Sequence, residues 1–177
     1  LINGVTGSLM MYYVKSLFIE TKFYAPLANV FALASLIALF LSVIILKLFG
    51  KRNTMIIGLV ITALAGVFQG IFSGRPADFQ FILIMCGVRG FGGGLAMSGI
   101  YGVAADSVEY GEWKTGKNYS GVGLAGITFG TKVATGLSVA LAGVLINFSG
   151  YNGALRVQAS DVLTKVNLSI NYLPVAI

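Results

Sequence analysis

Residues 119–147 read YSGVGLAGITFGTKVATGLSVALAGVLIN, a glycine-rich apolar run interrupted by one charge, Lys132. A helix rises 1.5 Å per residue and a bilayer span takes about 20 residues, so this run is long enough to cross. Lys132 lies about 13 residues from Tyr119, roughly 20 Å along such a helix and near the bilayer midplane. A charge there costs roughly 2.5–3.5 kcal/mol on insertion scales, so it is expected to face a polar cavity or a counter-charge. Thr128, Thr131, Lys132, Thr135 and Ser138 recur at three- and four-residue spacing, which predicts one polar face. That pattern reads as the wall of a water-filled cavity. The simpler reading is that the hydroxyls bond to their own helix and Lys132 snorkels, which is difficult from the midplane.

The rest of the chain follows the same pattern. Hydrophobic residues make up 56% and charged residues 10%. Soluble domains carry about 25% charged residues, so this composition places the chain in a bilayer. Apolar runs cover 1–18, 25–48, 54–73, 79–105 and 119–147, with the start of a sixth at 166–177. None alternates with the period-2 pattern of a membrane β-strand, and an all-α membrane protein is the expectation. Consecutive spans reverse direction, so the breaks at 49–53 and 106–118 share one side of the membrane. Those at 19–24, 74–78 and 149–165 share the other. Glycines four apart (Gly66, Gly70 and Gly74; Gly90 and Gly94; Gly126 and Gly130) predict close helix packing. The first residue is Leu1 and the last apolar run is too short to span, so the chain reads as a piece of something longer.

Composition also excludes classes. The net charge of +6 is scattered at the ends of runs, as expected of cations at lipid headgroups, and implies no nucleic-acid partner. There is no histidine and only one cysteine, Cys86, so no His/Cys metal site and no cofactor is expected. The most charge-dense stretch, Asp106–Lys117 (DSVEYGEWKTGK), groups Asp106, Glu109 and Glu112 with Tyr110, Gly111, Trp113 and Lys114. Its carboxylates lack a nucleophile, a histidine or a metal ligand, so no enzyme is expected. Contacts between helix ends at one membrane face are the better account. All six carboxylates lie at or near segment ends, so the counter-charge of Lys132 is expected from another part of the protein. Arg89 is a second charge inside a span, and it either lines the same cavity or reaches a headgroup layer.

Ala105–Gly116 (ADSVEYGEWKTG) resembles the A-D-x-[VI]-[ED]-Y-G-E-[WY]-K-T-G signature of glycoside–pentoside–hexuronide:cation symporters, which include the melibiose permeases of the major facilitator superfamily. Thr128–Lys132 (TFGTK) is similar to that family's T-F-x-x-K segment in helix eleven, and Gly50-Lys51-Arg52 to its G-K-[KR] loop. Ser149-Gly150-Tyr151 is similar to the turn closing helix eleven. The resemblance implies the C-terminal six-helix bundle of such a transporter, helices seven to eleven with the start of a truncated twelfth. It puts the 49–53 and 106–118 loops in the cytoplasm, and the chain in a bacterial inner membrane. It implies that Lys132 lies between sugar and cation, with Thr128 and Thr131 facing the sugar. Met97 falls where melibiose permeases place an aromatic, and Ile127 replaces a glutamine many members carry. These departures point away from melibiose to another branch. Residues 106–114 would form a cytoplasmic gate. The partners implied are a sugar, a coupling Na⁺ or H⁺ bound mainly by an N-terminal six-helix half, and that half itself. The alternative is a half-size or non-transporting membrane subunit that assembles with another helix bundle.

Overall fold

The computed structural model describes residues 2–18, 21–72, 79–118, 120–152, 155 and 158–172. These form helices α1 (Ile2–Phe18), α2 (Tyr24–Phe72), α3 (Phe79–Thr115), α4 (Ser120–Ser149) and α5 (Ser160–Asn171), with a 3-10 turn at Thr21–Phe23 before α2. No strand occurs among the described residues. Helices α2, α3 and α4 are long and apolar enough to cross a membrane.

Helix α2 is two antiparallel arms, 24–49 and 51–72, joined at Gly50. Its φ of 79° and ψ of 163° lie in a region open essentially to glycine alone. Both arms pack along α3, the first parallel and the second antiparallel. On the first arm Gly90 meets the Phe31 backbone and Gly94 meets Ser35 and Ala38. On the second, Gly99 meets Lys51 and Met55, while Gly92 meets Gly58 and Thr62. These glycines let three backbones mesh more closely than side chains would allow, which is how helices gain packing energy in lipid. Gly70 packs under the Tyr172 ring, whereas Gly126 and Gly130 have open space around them. Gly74 lies outside the described residues.

The core gathers Val5, Leu9, Tyr13 and Val14 of α1 with Leu27, Ile82, Cys86, Ala142, Val166 and Ile170. Around it the surface is apolar. Phe40 and Phe148 are each 80% exposed, which suits lipid and would be costly in water. Ring contacts between Tyr12 and Tyr151 and between Phe23 and Phe79 draw the end of α1, the 3-10 turn, the start of α3 and the end of α4 to one side. The Lys51–Asp106 ion pair joins the Gly50 reversal to the far end of α3 on the other side. The two loop groups expected from the sequence are therefore brought together.

Three boundaries differ from the sequence expectation. The 49–53 break shrinks to Gly50, since Lys51, Arg52 and Asn53 are already helical. Helix α3 does not end at Ala105 but runs on to Thr115, so the charged "loop" is helical. Glu109, Glu112 and Lys114 favour a helix, no proline interrupts them, and the helix stops only at Gly116, with φ of 65°. The Gly116 amide closes the end by donating to the Glu112 carbonyl at 2.8 Å. Asn118 then caps α4, its Oδ1 accepting the Ser120 amide at 2.9 Å. Likewise α5 begins at Ser160 rather than 166. The connector before it is held by Gln158, which donates to the carbonyls of Asn152 at 2.7 Å and Leu155 at 3.2 Å.

Candidate functional site

Helix α4 is the least enclosed of the long helices. Only Ser138, Ala142 and Ser149 are buried along its 30 residues. It rests on α1, with Gly4 admitting the Ser138 side chain. The side of α4 that carries Ser138 borders a cleft of about 430 Å³. Ile127, Thr131 and Thr135 of α4 line it, facing Met97 and Tyr101 of α3 and Thr62 of the second α2 arm. Four of the six residues assigned to the substrate from sequence, Met97, Ile127, Thr131 and Thr135, thus converge on one space.

Thr128 and Lys132 are absent from that lining. At 100° per residue, Thr128 lies about 60° and Lys132 100° around the helix from Thr131 in the same direction, so the polar stripe is one face about 120° wide and the cleft takes one edge of it. Both side chains are exposed, and Lys132 makes no ion pair among the described residues. The hydroxyls are tied to their own helix. Thr128 donates to the Leu124 carbonyl, Thr131 to that of Thr128 and Thr135 to that of Thr131, each at 2.8 Å. The back-bonding reading of the threonines therefore describes their donors, while their oxygens remain able to accept. The cleft accordingly offers acceptors and apolar wall, and the adjacent flank offers an ammonium.

Arg89 lies on neither of the two sites sequence allowed it. It is 4% exposed, inside the bundle and away from the Met97–Thr131 cleft. It borders a smaller cavity of about 150 Å³ with Thr6, Tyr13 and Gln69. Sequence reasoning could not find its partners, because Thr6, Gln69 and Asn171 are 83, 20 and 82 residues away.

Asp106, Glu109, Tyr110, Gly111, Glu112, Trp113 and Lys114 occupy the last turns of α3. The Tyr110 and Trp113 rings lie 5.9 Å apart, and Trp113 is 80% exposed. Asp106 pairs with Lys51 of the 49–53 break, which the sequence placed on this same side though not among the gate residues 106–114. Ala104, Ser107 and Val108 of α3 and Val122, Gly123 and Ile127 of α4 border an apolar wedge beside these turns. No group of residues suited to a metal ion occurs among the described residues.

The whole chain, residues 1–177, matches the family model described as MFS/sugar transport protein. It is similar to an isoprimeverose transporter of Lactiplantibacillus pentosus, 32% identical over 145 residues, covering 81% of this chain and 29% of that protein. It is similar to a protein assigned as a sulfoquinovose importer in Salmonella typhimurium, 32% identical over 105 residues, covering 59% and 22% of the two chains. A glucuronide carrier protein homolog of Escherichia coli is 28% identical over 127 residues, covering 71% and 27%. The chain thus spans less than a third of the length of these relatives. No solved structure matches it. The apolar helices and the bacterial relatives make it an integral protein of the bacterial inner membrane. With a match over its full length and an all-helical fold of membrane-crossing helices, the chain belongs to the MFS/sugar transport family of the major facilitator superfamily.

Proposed function

We propose that this chain is the C-terminal bundle of a sugar:cation symporter that works by alternating access. The carrying observation is on α4. Thr131, Thr135 and Ile127 border a cleft with Met97, and beside it Lys132 stands midway along α4, exposed and with no ion partner among the described residues. An ammonium in a bilayer interior is held by an anion or a polar cavity. In this reading an N-terminal bundle supplies the carboxylates, a Na⁺ or H⁺ neutralises them, and Lys132 exchanges partners as the cation arrives. Two bundles rocking about a midplane site then carry the sugar across. The charged end of α3 acts at the cytoplasmic gate.

The test is uptake of radiolabelled glycosides by cells expressing the full-length protein, with and without Lys132→Ala. Cation-stimulated uptake is expected to be lost while facilitated exchange of sugar persists. Cation-coupled uptake at the native rate in Lys132→Ala would remove Lys132 from the mechanism.

A further inference from the structure

The hydroxyls bordering the cleft between α3, α4 and the second arm of α2 share one property. Their hydrogens are already committed. Thr62 donates to the Gly58 carbonyl, Thr131 to that of Thr128 and Thr135 to that of Thr131, each at 2.8 Å. Ser138 donates to the Ala134 carbonyl at 2.7 Å and is 0% exposed, which closes it to a ligand. The three threonine oxygens keep lone pairs that can accept. The backbone amides of α2, α3 and α4 along this lining lie inside helices, where each donates to the carbonyl four residues back. Between the acceptors the wall is apolar, built by Leu59, Met97, Ile100 and Ile127. Tyr101 adds a phenol that is 50% exposed, a single neutral group able to donate.

Such a wall discriminates by the direction of its hydrogen bonds. A sugar hydroxyl both donates and accepts, so it can give its hydrogen to a threonine oxygen. An ionised carboxylate only accepts. Against this wall it would set lone pairs against lone pairs, unless a threonine broke its bond to the helix and turned its hydrogen outward. A charge taken from water without matching donors is costly, and one phenol does not replace them. The ammonium of Lys132 lies outside the lining, and in the function proposed above it is engaged by carboxylates of the other bundle. The cleft's volume of about 430 Å³ is that of a small-ligand site, and its apolar side chains suit the C–H face of a pyranose ring.

Resting on the sugar-transport reading above, we propose that this cleft selects uncharged glycosides and excludes hexuronides, with Thr131 and Thr135 as specificity-determining acceptors. Substrate hydroxyls donate to the two threonines while a ring face lies on Met97 and Ile127. An acidic group at carbon 6 finds no matching donors on this wall.

The experiment is calorimetric titration of the purified full-length protein with two matched pairs, methyl glucoside with methyl glucuronide and methyl galactoside with methyl galacturonide. The members of a pair differ only at carbon 6, a hydroxymethyl group against a carboxylate. The native protein is expected to bind the neutral member roughly tenfold or more tightly than the anionic one. Thr131→Val and Thr135→Val each remove an acceptor at nearly constant shape. Each is expected to weaken the neutral member by roughly three- to tenfold, the scale of one hydrogen bond, and to leave the anionic member unchanged. Thr131→Ser and Thr135→Ser keep the oxygen and should keep the native preference. Equal or tighter native binding of the anionic member overturns the proposal. So does an equal loss of both members in the valine variants, which is what a structural defect would produce. Should a valine variant fail to fold, the native preference alone decides. Binding of neither member of either pair also overturns the proposal, and cation-stimulated uptake of radiolabelled glycosides, run alongside, shows whether the transport reading falls with it.

Discussion

Adding one methyl group at Gly58 tests whether backbone contact or side-chain filling holds α2 to α3. A Cβ placed there would lie 2.6 Å from the Gly92 carbonyl oxygen and 2.9 Å from Ala96 Cα, and closer still to the Ala96 amide nitrogen. Ordinary carbon contacts begin near 3.5 Å, so the two helices must part by about 1 Å. Overpacking of this kind costs roughly 1–3 kcal/mol, on the order of 2–3 °C in unfolding midpoint for a protein of its relatives' length. Every obstacle is backbone, so trimming Ala96→Gly in the Gly58→Ala background restores nothing. Gly123 provides the contrast. A Cβ there meets only Val108, and first its Cγ2. Gly123→Ala is therefore expected to be destabilising alone and rescued by Val108→Ala. The assay is thermal unfolding of the detergent-solubilised full-length protein, followed by size-exclusion chromatography of a fluorescent fusion. A native midpoint for Gly58→Ala, or its rescue by Ala96→Gly, would refute the claim that backbone meshing sets the distance between α2 and α3.

Three further outcomes follow from local geometry. Lys51 and Asp106 are 43% and 52% exposed, so a double-mutant cycle on unfolding should return a coupling below about 1 kcal/mol, and the Lys51→Asp/Asp106→Lys swap should accumulate like the native protein. Gly50→Ala meets no steric obstacle, yet its φ of 79° should cost about 1–3 kcal/mol in a chemical or thermal unfolding assay. Asn118→Ala removes the cap on the Ser120 amide and should destabilise α4 by about 0.5–2 kcal/mol, whereas Asn118→Asp should stay within a few tenths of native, read by hydrogen exchange at the start of that helix.

Much of this architecture was legible in the chain because lipid leaves few options. Apolar runs of span length had to be helices, and Gly90 and Gly94 did mark close packing, against Phe31, Ser35 and Ala38. The signature at 105–116 marked the family, which the match over residues 1–177 shows. What hydropathy misread was the end of α3. Charge signals departure from the bilayer, but it does not end a helix, and Gly116 does. The threonine stripe was found by spacing, yet spacing could not show which edge of that face would border the cleft, nor that each hydroxyl would donate to its own helix. Arg89 was visible as an oddity and opaque as a role, because its acceptors come from α1, α2 and α5 at long sequence separation.

Arg89 and Lys132 pose the same electrostatic problem with opposite outcomes. Arg89 lies where α1, α2, α3 and α5 meet, and the fold surrounds it with four oxygen acceptors. Lys132 lies on a helix that the rest of the chain grips at only three buried positions. Along that helix Gly121, Gly126, Gly130, Gly136 and Gly143 have nothing within 4 Å of where a Cβ would stand. Small residues with open space beside them are what a second helix needs for close approach in lipid. A bundle that settles one buried cation so thoroughly has the means to settle another. That it leaves Lys132 exposed is the physical reason for reading the flank of α4 as a surface completed by other helices. In the function proposed above, the ammonium's partner would change as those helices move, which is what coupling between cation and sugar would require.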